Sequence, residues 1–379
     1  MTLRFLFVAL PVFLLVAAPL GAQTLTDDQV EAVRRGAESV RLPVSGAEVA
    51  IVGPRDLPLV EAMVNGRGPY RLLVDLGSNV VVFRRDVIDA AGAEILVDRP
   101  VGDLVRLDSL RIGGALYGPV TAAAYDELDV DGVVGYNLLS LSPFTMDFPG
   151  RTLALHRDSL PAADGDRVLA YVVEGRMPYL PVAVADTTLL FNFDTGATNW
   201  IVMPPAMAGA IDWATPFRPG PTLYNNQTGA VRVEVARLDG DVTFGRYRVP
   251  RPVVFMDPAV EDAWFGAGLL ADYVLEFDTV HRRLRITGPD LASAPAYCTA
   301  GFALRSDDDA AVVRDVIPET PADRFLQVAD RILEVEGEPA AGLDSRALRA
   351  LACASDRLTV VRERGDRRET LEVPTARIP

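Results

Sequence analysis

From Ala47 onward the chain is a succession of short apolar or alternating runs cut by Gly, Pro and Asp, the pattern of β-strands and turns. Leu57 to Val64, the turn Asn65-Gly66-Arg67-Gly68 and Tyr70 to Val74 read as a hairpin that delivers Asp75 to a second, tight turn. Residues 23–46 ahead of it are polar, with one amphipathic helical stretch over Asp28 to Val40. The pattern assigns this lead-in little importance.

Three elements of this pattern occur twice, in the same order. Asp75-Leu76-Gly77-Ser78-Asn79 answers to Asp194-Thr195-Gly196-Ala197-Thr198, each acid ending an apolar run. Gly132 to Leu139 answers to Phe265 to Leu270. Each copy is followed by a strand pair, Phe144 to Phe148 with Thr152 to Leu155, and Val274 to Asp278 with Arg283 to Ile286. The period is too long for a solenoid, so the repeat predicts two similar lobes, residues 47–161 and 162–290. Neither has the spacing of βαβ units, and the sheets are expected to be mostly antiparallel.

Beyond Pro295 the character changes. Gly301 to Leu304, Ala311 to Val316, Asp330 to Glu338, a helical Ser345 to Cys353, Leu358 to Arg362 and Glu369 to Val373 make a small α+β unit over residues 296–374. The fold class expected for the whole is therefore mainly β, two lobes followed by this small unit.

Composition narrows the chemistry. A net charge of −15 argues against nucleic acid as a partner, since its binding needs basic surface. Met1 to Gln23 carries one early arginine, an uncharged run from Phe5 to Ala18 and small residues after it, which is the form of a secretory signal cut after Ala22. The run is shorter than the ~20 residues of a membrane span, so export to the periplasm or the medium is expected, with no span left after cleavage. The only two histidines, His156 and His281, lie apart at charged strand ends beside arginines. They offer neither a clustered zinc site nor a base for a serine or cysteine nucleophile, and read as solvated strand residues.

What remains is acid chemistry. One Asp-x-Gly is ordinary turn chemistry, but two copies in two lobes related by a pseudo-twofold bring two carboxylates together. Close carboxylates cannot both ionise cheaply, so they share a proton. The ionised one serves as base to a water and the protonated one hydrogen-bonds to a substrate carbonyl. No metal or cofactor is required.

On these motifs the chain resembles the bacterial, secreted relatives of the pepsin and retropepsin aspartic peptidases, over about Ala47 to Pro289. The resemblance implies retropepsin-like lobes in a pepsin-like bilobed unit, an endopeptidase acting on polypeptide, and Asp75 and Asp194 as the dyad. It makes Gly77, Ser78, Thr195 and Gly196 supports of the two turns, with Thr195 half of a hydrogen-bonded grip between them. Leu76 departs from the family, standing where a threonine hydroxyl is expected. A noncatalytic peptide-binding protein with a decayed site is the alternative, and a two-acid glycosidase a more distant one. A flap over the cleft is expected at Leu223 to Ala230, with Tyr224 facing substrate. The matching region of the first lobe, Arg99 to Val105, offers no flap residue.

The last unit resembles a PDZ domain through Thr299-Ala300-Gly301-Phe302, Pro318 to Ala322 and Asp330 to Gly337. That implies a carboxylate-binding loop at Ala300, Gly301 and Phe302, open to a peptide C-terminus that adds a strand to the sheet. It also places Cys298, before the loop, beside Cys353, at the end of the helix. A disulfide between them is expected in an exported protein.

Overall fold

The computed structural model describes residues 25–54, 56–99, 102–225, 229–291, 297–306, 310–343 and 345–378. The leader expected over residues 1–22 lies outside them. The chain is mainly β, arranged in several sheets. No helix among the described residues is long and apolar enough to cross a membrane.

The lead-in is more than an appendage. Helix α1 (Asp27–Arg35) starts at a capping box in which Thr26 and Gln29 satisfy each other's backbone N–H groups. It stops at Gly36 instead of reaching Val40, which pairs as a short strand with Tyr117. Val33 is fully buried, its carbonyl accepts from Asn137 Nδ2 at 3.2 Å, and Glu31 forms an ion pair with Arg176 of the second lobe. An amphipathic pattern shows that a helix has a partner face but not which surface covers it.

The first lobe holds β1 (Ala47–Val52), β2 (Leu59–Val64), β3 (Arg67–Asp75), β4 (Val82–Arg84), β5 (Glu94–Val97), β6 (Asp103–Leu107), β7 (Val120–Tyr125), β8 (Gly132–Gly135) and the one-turn helix α2 (Tyr136–Leu139). The β2–β3 turn is tighter than expected. Asn65 and Gly66 alone make it, both at positive φ, and Val64 already faces Arg67 across the ladder. The order that matters is β3 parallel to β8, β8 antiparallel to β4, β4 parallel to β7, then β6 and β5 antiparallel in turn. Two strands, β9 (Phe144–Asp147) and β10 (Thr152–Leu155), follow.

The second lobe repeats this order. It holds β11 (Met177–Val184), β12 (Thr187–Asp194), β13 (Ile201–Met203), β14 (Arg218–Asn225), β15 (Gly229–Arg237), β16 (Val253–Met256), β17 (Ala263–Gly266), α3 (Ala267–Leu270), β18 (Val274–Asp278) and β19 (Arg283–Thr287). Here β12 is parallel to β17, β17 antiparallel to β13, β13 parallel to β16, then β15 and β14 antiparallel in turn. By this correspondence the β5–β6 hairpin is the first-lobe counterpart of the β14–β15 hairpin.

The strand pairs after each repeat join the lobes. β9 pairs antiparallel with β18, placing Phe144 opposite Phe277, with stacked rings 4.8 Å apart. Such an aromatic pair adds about 0.5–1.5 kcal/mol beyond its area burial. One apolar cluster runs through both lobes.

The third domain has its own core, including Phe302, Val313, Ile332, Leu348 and Val360. Its elements are β20 (Tyr297–Thr299), β21 (Phe302–Ser306), β22 (Ala311–Val316), β23 (Arg331–Val335), α4 (Ser345–Ala354), β24 (Arg357–Arg364), β25 (Arg367–Pro374) and β26 (Ala376–Ile378). The sheet order is β21-β22-β23-β24-β25, so β21 is an edge strand.

Candidate active site

Each acid leaves a strand that is buried over its last residues, because strands between two layers are apolar on both faces. Leu72 to Asp75 in β3 and Phe191 to Asp194 in β12 are fully or nearly fully buried. Behind them the repeat is exact in its hydrogen bonds. Tyr136 N–H donates to the Ser78 carbonyl at 2.8 Å, and Ala267 N–H to the Ala197 carbonyl at 2.7 Å. Gly135 and Gly266 precede these donors, and a Cβ on either would fall 2.3 Å from Ser78 O or 2.0 Å from Asn199 O. Only a glycine lets each turn sit that close to the strand behind it.

The two turns meet across the lobe interface. Asp75 Oδ1 accepts N–H bonds from Gly77 at 2.8 Å and from Gly196 of the other lobe at 3.3 Å. Asp194 Oδ1 accepts from the same Gly196 N–H at 3.0 Å and from Ala197 at 2.9 Å. One backbone N–H thus serves both acids. A Cβ on Gly77 would meet Asp194 Cγ at 3.0 Å, so the approach depends on the missing side chain. Asp75 Oδ2 is buried with no protein partner.

Burial raises the pKa of both carboxyls. It pushes Asp75 up to about 7, with the Gly77 and Gly196 N–H groups working against it. Burial, then the charge of Asp75, holds Asp194 well above the ordinary carboxylate range. With the charge of Asp75 among the causes that raise Asp194, ionising both carboxyls is disfavoured and one of them holds a proton more readily. The arrangement can present one carboxylate and one carboxylic acid side by side at near-neutral pH.

Thr195 and Leu76 divide the grip unequally. Thr195 Oγ1 donates to the Val74 carbonyl at 2.7 Å and accepts from Leu76 N–H at 3.0 Å. Leu76 offers only its backbone; its side chain is fully buried in the apolar cluster. Ser78 Oγ closes its own turn by donating to the Val80 carbonyl at 3.0 Å. A further link, absent from the motif reading, is Asn79 Nδ2 donating to the Gly175 carbonyl of the second lobe at 2.6 Å. Asparagine in the Asp-x-Gly-Ser-Asn run was its only sequence signal.

The other expected residues lie on other elements. Tyr224 is on β14, opposite Ala230, and the tip residues 226–228 lie outside the described residues. In the first lobe, where no flap residue was expected, the β5–β6 hairpin occupies the corresponding place; residues 100 and 101 at its tip lie outside the described residues. His156 is partly buried, with Nε2 3.1 Å from Thr145 Oγ1, and His281 Nδ1 is 2.9 Å from the buried Asp278. The partly buried His156 departs from its reading as solvated, whereas His281 is exposed as expected while touching Asp278. Among the described residues no cluster of His, Cys, Asp or Glu is placed to hold a metal ion.

Ala300 and Gly301 lie between β20 and β21, and Phe302 opens β21. Within this loop the Gly301 N–H donates to Thr299 Oγ1 at 3.0 Å. Cys298 and Cys353 form a disulfide with Cα atoms 5.1 Å apart.

No curated protein matches the chain. A family model described as aspartyl protease matches residues 60–138, the stretch from β2 to α2 that contains Asp75 and the glycine element behind it, so the chain carries an aspartic peptidase-like domain.

Proposed function

We propose that this protein is an exported aspartic endopeptidase whose dyad is Asp75 and Asp194, with the third domain a PDZ-like module that binds polypeptide C-termini. The observation that carries the catalytic half is the single Gly196 N–H shared by both carboxylates. In the reaction, the ionised member takes a proton from water as the water oxygen bonds to the scissile carbonyl carbon. The protonated member donates a hydrogen bond to the carbonyl oxygen as it gains charge. When the C–N bond breaks, the leaving nitrogen takes a proton from the pair, and one shared proton remains. The alternative of a decayed site rests on Leu76, but half of the grip is kept by its backbone N–H.

Residues 1–22 act as the leader, and the disulfide suits an oxidising compartment. A statine-type inhibitor, whose hydroxyl mimics the tetrahedral intermediate, tests the catalytic reading. It should bind the wild type and be displaced competitively by unfolded polypeptide. Absence of binding across acidic to neutral pH would count against the dyad.

A further inference from the structure

The third domain does not hang free of the second lobe. Asp315, on β22 and nearly fully buried, accepts the Thr222 N–H of β14 at 2.8 Å and an ion pair from Arg232 of β15. Arg232 also donates to the Gly220 carbonyl of β14 at 2.9 Å and to the Val316 carbonyl of β22 at 3.3 Å. One carboxylate and one guanidinium therefore tie both strands of the β14–β15 hairpin to the third domain.

A pocket opens at this junction. One wall is the third domain's Ala300, Phe302 and Leu348, with Arg349 lying over the Tyr297 ring at 4.9 Å. Pro221, Thr222 and Leu223 of β14 also line the pocket, with Thr198 and Asn199. Those last two close the turn that begins at Asp194, and their carbonyls press on the glycines of the element behind it. Beside the pocket, β21 is an edge strand with no outer partner among the described residues, a template for one more strand.

We infer that this pocket is an effector site: a polypeptide C-terminus with an apolar last residue, bound between β21 and β14, fixes the β14–β15 hairpin through Asp315 and Arg232 and so tightens substrate binding at the acid pair. This rests on the peptide-binding half of the proposed function. Leu348 and Phe302 supply the apolar wall, Arg349 a cation for the terminal carboxylate, and the charge of Asp315 is already answered by Arg232. The sign follows from the lining, which comes from both the third domain and β14. A ligand that touches both binds best when both are in place, so it biases the hairpin toward its docked position. Coupling of ordinary strength changes an affinity about fivefold or more.

The test uses the full chain without its leader and a short fluorescent peptide ending in a free-carboxylate valine, beside its C-terminal amide. The acid form is expected to bind, to slow amide exchange at Thr222 and its β14 neighbours, and to lower KM for a separate unfolded substrate by about fivefold or more. The amide should do none of these, and in an Asp315→Asn protein the acid peptide should leave β14 exchange unchanged. Binding of the acid form with unaltered exchange in the wild type overturns the coupling and spares peptide recognition. No binding overturns both. The exchange readout needs no turnover, so slowed exchange in a protein that cleaves nothing upholds the coupling and overturns the peptidase reading instead.

Discussion

Thr195 Oγ1 stands between the backbone N–H of Leu76 and the carbonyl of Val74, bonded to both across the lobe interface. The hydroxyl is fully buried, so its loss strands two backbone groups that water cannot reach. Thr195→Val keeps the shape and removes both bonds, and is expected to cost about 2–4 kcal/mol, with Thr195→Ser close to wild type. Urea unfolding of the three proteins measures this. A Val variant as stable as the Ser variant would mean that the grip contributes nothing.

Gly77 owes its role to distance. Its absent Cβ would lie 3.0–3.1 Å from three atoms of Asp194, tighter than ordinary carbon contacts, and the neighbour is the acid itself. Gly77→Ala should displace the Asp194 carboxylate and reduce kcat by about a hundredfold, the scale of a misplaced catalytic group, with KM changed far less. Steady-state kinetics on a fluorogenic peptide separates the two effects.

Burial of the acids also makes stability depend on pH. The folded pKa of Asp75 is raised from 3.8 to about 7, so the folded state binds a proton that the unfolded chain releases. The contribution is complete below the unfolded value and is lost as pH rises through the folded one. Asp75→Asn, which does not titrate, should therefore gain in Tm over wild type as pH goes from about 4 to about 7. A Tm difference that is flat over this range would show that the acid is not perturbed. The same raised pKa predicts that activity persists near neutral pH, where exposed carboxylates have lost their protons.

The Cys298–Cys353 bridge closes a span of 55 residues within the third domain. On the chain-entropy account its reduction should destabilise that domain by about 4 kcal/mol, leaving the two lobes folded around their own core. Differential scanning calorimetry with and without reductant should show one transition moving and the other holding still.

Much of the fold was legible because its information is local or repeated. Asn65-Gly66 marks a turn, though a tighter one than the four residues expected, and the acid turns and the glycine elements behind them recur with matching neighbours. Other features are pairings between distant segments, and nothing in a strand's own pattern names its partner. Phe144 and Met146 alternate with polar residues, which shows a buried face, yet not that β18 of the other lobe lies alongside. Val33 on α1 and Asp315 on β22 were silent for the same reason. Each is an ordinary residue until Asn137 or Thr222 is brought to it. Leu76 was half legible, because the motif counts side chains and so shows the missing hydroxyl but not the bond made through the backbone.

The central claim is that Asp75 and Asp194 cleave peptide bonds as a pair, and Asp194→Asn tests it most directly. The variant keeps an oxygen able to accept the Gly196 and Ala197 N–H groups but removes the shared proton's second site. Purified wild type should cleave unfolded polypeptide between acidic and neutral pH, and the variant should be slower by at least about a hundredfold while melting cooperatively. Equal cleavage by the two proteins would contradict the account.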